Sequence, residues 1–325
     1  MAGVFKVGDE VEASSSKTPV KILELLGSGG QGEVYRVKHQ SSELALKWYF
    51  DHTATQSQRS GIEKLIEDGA PGTQFLWPVE LVTFKSSSSF GYLMPLRPPS
   101  SVAAVEHIAG RIRISLRQLL RACFHLAEAF HALHSKGLCY KDISLGNLFL
   151  DPAQGTILIC DNDNVDVNGR NPGAVHGTPG FMAPEVLLGR SRPGTASDLF
   201  SLAVLLFRLL TRHDPFLGRR ELQIRCLDGA AKRQLQGEDP LFVFHPEDGR
   251  NRPDPIEHPA PLLTWPIYPA HLRSLLEQSL GPGARDPGQR VFPGQWRKAL
   301  SLCLDQHALC PHCGQEVFPE PGLPG

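Results

Sequence analysis

No stretch of this 325-residue chain is long and apolar enough to cross a bilayer. The longest apolar run, residues 199–210, is interrupted by Arg208 and reads as a buried helix. Charge of one sign is also lacking. With 33 Lys and Arg against 34 Asp and Glu, the formal net charge is −1. That balance gives no support for nucleic-acid binding or for electrostatic docking on anionic membranes. The first twelve residues have no basic start followed by an apolar core, so no secretory signal is expected and a cytoplasmic location is. Cysteine is sparse, and Cys123, Cys139, Cys160 and Cys226 are scattered among apolar neighbours. They read as small core residues in a reducing compartment, not as a disulfide framework. There is no internal repeat. What remains is a soluble globular composition, 41% apolar and 21% charged, of a length that fits one large two-lobed domain or two ordinary ones.

The pattern along the chain changes at residue 97. Before it, residues 1–18 are polar and read as a loose lead-in. Strands are expected at 20–26, 33–38, 44–49, 75–84 and 90–96, with one helical stretch at 60–67. Arg97-Pro98-Pro99-Ser100 breaks the pattern, and helices dominate afterwards, at 114–136, 197–211, 271–280 and 295–309. Short strands are expected at 148–150 and 157–160. Residues 240–269 are proline-rich, cannot be regular helix, and read as a long ordered loop on the large lobe. The resulting division is 1–18, 19–96, 97–300 and 301–325.

Five short motifs carry chemistry. Gly27-Ser28-Gly29-Gly30-Gln31-Gly32-Glu33-Val34 joins two expected strands. Glycines there let the backbone fold tightly and offer N–H donors to phosphate oxygens. A dinucleotide fold would need a helix after such a turn, and a strand follows instead. Lys47 ends Leu44-Ala45-Leu46-Lys47 on the third strand. Asp142 and Asn147 stand five apart in Tyr140-Lys141-Asp142-Ile143-Ser144-Leu145-Gly146-Asn147. Asp161 closes the short apolar strand 157–160. Gly177-Thr178-Pro179-Gly180-Phe181-Met182-Ala183-Pro184-Glu185 is the most specific of the five.

In this order the motifs resemble those of the eukaryotic-type protein kinase family, from about residue 20 to about residue 300. The resemblance implies an α+β, two-lobed kinase fold: a five-stranded antiparallel small lobe with one helix, and a mainly helical large lobe. It implies a serine/threonine protein kinase that uses ATP with Mg²⁺ or Mn²⁺. Gly27, Gly29, Gly30, Gly32 and Val34 would cover the phosphates, and Ala45 would pack on the adenine ring. Lys47 would hold the α- and β-phosphates and pair with a helix glutamate, Glu63, or Glu67 one turn on. Met94 would be the gatekeeper, with Pro95 and Arg97 supplying backbone contacts to adenine. Asp142 would orient the attacking hydroxyl, while Asn147 and Asp161 would ligate the metal. Thr178 would contact the catalytic loop and favour serine/threonine specificity. Glu185 would pair with Arg290, and Asp198 would brace the catalytic loop.

Several residues depart from the family pattern. Tyr140 and Lys141 replace His-Arg, Ser144 stands where a lysine is usual, and Asn162-Asp163 replace Phe-Gly. Asp163 is a candidate for an added metal contact. A pseudokinase or nucleotide-binding scaffold therefore stays as the alternative, although Lys47, Asp142, Asn147 and Asp161 are all kept. A small-molecule phosphotransferase is disfavoured by residues 177–185. Thr178 is the only hydroxyl side chain between Asp161 and Glu185, so activity independent of activation-loop phosphorylation is expected. The Gly-Gly-Gln-Gly loop is similar to that of compact bacterial kinases, which implies von Willebrand A-type proteins and protein phosphatases as partners. In the tail, Cys310-Pro311-His312-Cys313 is a knuckle of the kind that binds zinc. With Cys303 and His307 it would make a four-ligand zinc site. The other reading is half a ribbon, with Cys303 and His307 facing the core.

Overall fold

The computed structural model describes residues 3–85, 87–169 and 177–319. Two units divide the chain, Met1–Pro99 with Leu158–Asp166, and Ser100–Ile157 with Val167–Gly325. The segment carrying Asp161 thus belongs with the first unit, although the sequence reading placed it in residues 97–300.

The first unit is a closed antiparallel barrel of six strands, not five. They are β1 (Glu10–Ala13), β2 (Pro19–Ser28), β3 (Gly32–His39), β4 (Ser42–Tyr49), β5 (Glu80–Thr83) and β6 (Phe90–Pro95), in the order β1-β2-β3-β4-β6-β5. The extra strand comes from the supposed lead-in. β1 pairs with β2 on one side and β5 on the other, which removes both sheet edges. Phe5, Val11 and Ala13 are buried with Val20, Ile22, Val37, Leu46 and Trp48. The Phe5 ring meets Trp48 edge-on at 4.9 Å and Phe84 at 5.4 Å. The strand expected from residue 75 begins only at Glu80, because Pro78 cannot donate to a ladder.

Helix α1 (Gln56–Asp68) is capped by the Thr55 side chain, which accepts from the Gln58 N–H at 3.1 Å. It buries Ile62 and Leu65. The returning segment is fixed by Ile159, whose N–H donates to the Gln74 carbonyl at 2.7 Å. The wholly buried Asn162 amide donates to the Leu76 and Ile159 carbonyls at 2.9 and 3.1 Å. This asparagine holds the segment by hydrogen bonds where the family pattern has phenylalanine packing.

The second unit is mainly helical. It contains β7 (Val102–Ala103), α2 (Ala104–Ile108), α3 (Leu116–Ser135), β8 (Leu138–Cys139), β9 (Leu148–Asp151), α4 (Pro184–Leu187) and α5 (Thr195–Thr211). These are followed by α6 (Gly229–Arg233), α7 (Pro259–Thr264), α8 (Ala270–Leu280), α9 (Pro282–Arg285) and α10 (Pro293–Gln306). α5 is buried on nearly every face, which explains why its sequence is apolar almost throughout, with Arg208 as the one charge in the run 199–210. The proline-rich stretch is not free of helix, as α7 starts on Pro259, whose fixed φ suits a first turn. Around it Phe244 stacks on Trp265 at 4.5 Å, and Phe207 of α5 meets Phe242 at 5.3 Å.

The tail forms a hairpin, Ala308–Leu309 paired with Glu316–Val317. Its Glu316 carboxylate accepts the Leu116 and Arg117 N–H groups at 2.7 and 2.9 Å, at the start of α3. Among the described residues no helix is long and apolar enough to cross a membrane.

Candidate active site

The first unit gathers a lysine and two carboxylates. Lys47 lies on β4, with only 8% of its side chain exposed. Its ammonium donates to Asp161 at 2.5 Å and to Asp163 at 2.7 Å, and reaches the Gln31 amide oxygen at 3.4 Å. Burial pulls this ammonium down; Asp163 and Asp161 outweigh that and raise it to about 12. Asp163 is wholly buried and also accepts from the Tyr49 hydroxyl. Burial, reinforced by the Asp163 charge, pushes the Tyr49 phenol far up, so it stays a donor.

The expected helix partners of Lys47 lie elsewhere. Glu63 bonds Arg59 at 3.2 Å with 45% of its side chain exposed, and Glu67 pairs with Lys64 at 3.7 Å. The reason is helical phase. Ile62 and Leu65 set the buried stripe of α1, and Gln58 shares it, whereas Glu63 lies roughly 140° round the axis from Gln58.

Above this cluster runs the glycine turn between β2 and β3. The Gly29 N–H donates to the Gly32 carbonyl at 2.9 Å, and the Gln31 carbonyl accepts from Phe50 N–H at 3.0 Å. Gly32 is required by packing, since a Cβ there would lie 2.0 Å from the Trp48 carbonyl oxygen. Gly27, Gly29 and Gly30 differ: an added Cβ at each would meet nothing within 4 Å. These three leave open space of the kind a phosphate chain requires. Val34 pairs with Lys47 across β3 and β4, and Ala45 pairs with the buried Met94 across β4 and β6. Pro95 ends β6, and Arg97 follows it. Asp161 has a left-handed backbone at φ 58°, an uncommon conformation outside glycine.

The second unit gathers the residues of the loop 140–147 around Asp142. Asp142 accepts the Thr178 hydroxyl at 2.6 Å on one carboxylate oxygen. The Asn147 amide donates to the other at 3.3 Å and to the Asp142 carbonyl at 3.0 Å. Asp198 of α5 accepts the Tyr140 and Lys141 N–H groups at 2.6 and 2.9 Å, holding the loop through Lys141, whose φ is 71°. His134 adds a contact to Asp198 at 3.2 Å. Glu185 and Arg290 form a bidentate pair at 2.7 and 2.8 Å. Arg290 also donates to the Gly283 and Ala196 carbonyls, each at 2.8 Å. Arg208 donates to the Gly180 carbonyl at 3.0 Å and lies over the Phe181 ring at 4.4 Å. A charge within a buried apolar run was the sequence signal for that role, because such a charge requires partners. The loop residues 170–176, with His176, lie outside the described residues.

The four-ligand zinc site is not assembled. Cys303 is buried, and its thiol meets His271 at 3.3 Å. Burial pushes that thiol up to about 12. His307 is bonded to Glu316 at 2.9 Å. Cys310 and Cys313 sit in the turn of the tail hairpin, where the Cys313 and His312 N–H groups lower the Cys310 thiol. Among the described residues no group of three or more His, Cys, Asp or Glu is placed to hold a metal.

The donor set of the first unit does suit a magnesium nucleotide. It offers a cation for phosphate, a one-third exposed Asp161 carboxylate, and a buried Asp163 Oδ1 with no hydrogen-bond partner.

The protein kinase domain family is matched over residues 20–241. The chain is 32% identical over 210 residues to a cGMP-dependent protein kinase of Drosophila melanogaster, covering 62% of this chain and 22% of that protein. It is 29% identical over 215 residues to the DNA damage-responsive serine/threonine-protein kinase RqkA of Deinococcus radiodurans, covering 61% and 30%. Against human cGMP-dependent protein kinase 2 the identity is 28% over 227 residues, covering 66% and 29%. The chain thus matches less than a third of the length of each. With the domain match spanning more than half of it, this chain belongs to the protein kinase family.

Proposed function

We propose that this protein transfers the γ-phosphoryl group of ATP to a serine or threonine hydroxyl of a protein substrate. One observation carries the reading. The Asp142 carboxylate is held from two sides, by Thr178 and by Asn147, in a loop braced through its backbone by Asp198. A carboxylate fixed in this way can orient a hydroxyl and take its proton. Thr178 comes from the segment that seats peptide substrates in the family, which supports a protein substrate over a small molecule.

Lys47 would hold the phosphates beneath the glycine turn, and Asp161 with Asn147 would hold Mg²⁺ or Mn²⁺. The metal would neutralise charge developing on the phosphates. Catalysis of this kind is positioning and electrostatics, so the replacement of Lys by Ser144 lowers rate without removing the reaction. Activity does not require a phosphorylated activation loop. Its one hydroxyl, Thr178, is engaged with Asp142, and Lys141 stands where the phosphate-binding arginine would be. Von Willebrand A-type and phosphatase partners remain part of the proposal through the likeness to compact bacterial kinases.

The test is phosphoryl transfer from labelled ATP, with Mg²⁺ or Mn²⁺, to the protein itself and to a generic basic protein. Label on serine or threonine that disappears in Asp142→Ala is the expected result. ATP binding with no transfer would assign the chain to nucleotide-binding scaffolds instead.

A further inference from the structure

We propose that Asp163 is the anchor of Lys47 in this kinase, in place of a helix glutamate, and that Gln58 and Tyr49 couple α1 to that anchor. The inference rests on the nucleotide-handling role given to Lys47 above.

Lys47 is buried, and a buried ammonium needs a carboxylate that stays with it. Two carboxylates reach it, and their surroundings differ. Asp161 has 34% of its side chain exposed, so it is the more open of the two to a divalent cation. Asp163 is fully buried, and its Oδ2 accepts from both Lys47 and the Tyr49 hydroxyl. When a cation draws on Asp161, Asp163 alone keeps Lys47 compensated. Releasing it would leave two buried, opposite and uncompensated charges.

The helix takes part without a charge. The Gln58 amide donates to the Tyr49 hydroxyl at 3.1 Å and to the Asp163 carbonyl at 3.4 Å. Gln58 lies on the buried stripe of α1 with Ile62 and Leu65, whereas Glu63 and Glu67 lie off it. The wholly buried Asn162, bonded to the Leu76 and Ile159 carbonyls, fixes the backbone from which Asp163 projects. Replacement of Phe-Gly by Asn162-Asp163 and loss of the helix pair are then one change. The carboxylate has moved from the helix to the metal-binding segment, and a neutral hydrogen-bond chain has taken over the link to the helix.

The experiment is a pair of double-mutant cycles, Lys47→Met with Asp163→Asn and Lys47→Met with Glu63→Gln. Each is read as affinity for a fluorescent ATP analogue with Mg²⁺ and as the urea unfolding midpoint. The expected result is that Asp163→Asn weakens nucleotide affinity by about tenfold or more, as losing a charged hydrogen bond does. In the Lys47→Met background it adds nothing further. Glu63→Gln and Lys47→Met simply sum. Tyr49→Phe loosens the same anchor without removing a charge. It serves where Asp163→Asn does not fold, and should weaken affinity only while Lys47 is present. Coupling of Lys47 to Glu63, or additivity between Lys47 and both Asp163 and Tyr49, would overturn the proposal. Neither readout requires turnover, and the midpoints require no nucleotide. A protein that transfers no phosphate would sink the kinase reading while these cycles still decide the anchor.

Discussion

The Thr178 hydroxyl donates to the Asp142 carboxylate at 2.6 Å, tying the segment before Ala183-Pro184-Glu185 to the loop 140–147. A hydrogen bond to a charged group contributes about 1.5–3 kcal/mol, or roughly 10- to 100-fold in rate if it is needed in the transition state. Thr178→Val should lower kcat by that factor, leave the KM for ATP unchanged, and be rescued by Thr178→Ser. An equal loss in Thr178→Ser would show that the methyl group, not the hydroxyl, matters.

The same bond bears on regulation. A phosphate on Thr178 would replace the donor that Asp142 uses with an anion beside a carboxylate, and the two would repel. Purified active protein should therefore carry no phosphate between Asp161 and Glu185, and phosphatase treatment should leave its rate unchanged. Mass spectrometry finding a phosphate there whose removal abolishes activity would refute this.

Arg290 is buried on the Glu185 carboxylate, with two carbonyls taking further donors. Removing one member of such a pair costs about 3–5 kcal/mol, because the other charge is left uncompensated. Glu185→Ala should lower urea stability by that amount. The double replacement Glu185→Leu with Arg290→Met should recover much of it. A Glu185→Ala cost below about 1 kcal/mol would mean that water reaches the guanidinium.

Phe5 sits in the core of the first unit, although it lies in a stretch that reads as a polar lead-in. Phe5→Ala should cost about 3–5 kcal/mol in unfolding free energy, as truncation of a buried aromatic does. Val7, 75% exposed two residues on, is the control. Val7→Ala should change stability by no more than about 0.5 kcal/mol.

Phe5 also shows where sequence reading runs out. The kinase fold was legible because its motifs fall in fixed order and because the long amphipathic α3 and the apolar run of α5 declare themselves. β1 was not, since four residues, Glu-Val-Glu-Ala, are too few for a period to stand out among polar neighbours. Glu185 and Arg290 could be paired from the sequence because both lie in motifs. Lys47 and Glu63 were paired on motif logic alone, and helical phase decided otherwise: the stripe set by Ile62 and Leu65 turns Glu63 toward Arg59. Tyr49 and Gln58 carried no signal, because a tyrosine at the end of a strand and a glutamine in a first turn are ordinary there. Cys303 and His307 share a helical face by spacing. The sequence could not reveal that His271 and Glu316 already occupy them.

Glu316 gives the last prediction, which concerns acid. Its carboxylate accepts two of the N–H groups that α3 leaves without intrahelical partners, while Ser115 accepts a third from Gln118 at 3.2 Å. Burial raises this carboxyl, but the Arg117 and Leu116 N–H groups together with His307 outweigh it. The net effect holds the group below its ordinary value of 4.5. A depressed carboxyl stabilises the folded state fully above its unfolded value and loses that contribution as pH falls through the folded one. The docking of the hairpin on α3 should therefore be intact at neutral pH and weaken progressively below about pH 4.5. Glu316→Gln keeps an acceptor but no charge. It should cost about 0.5–2 kcal/mol at pH 7 and flatten this part of the acid profile. Amide hydrogen exchange at Leu116 and Arg117, followed from pH 7 to pH 3.5, reads the effect directly. Protection that falls with pH in the wild type but not in Glu316→Gln is the expected pattern. Identical profiles would show that the carboxylate charge does not hold the tail.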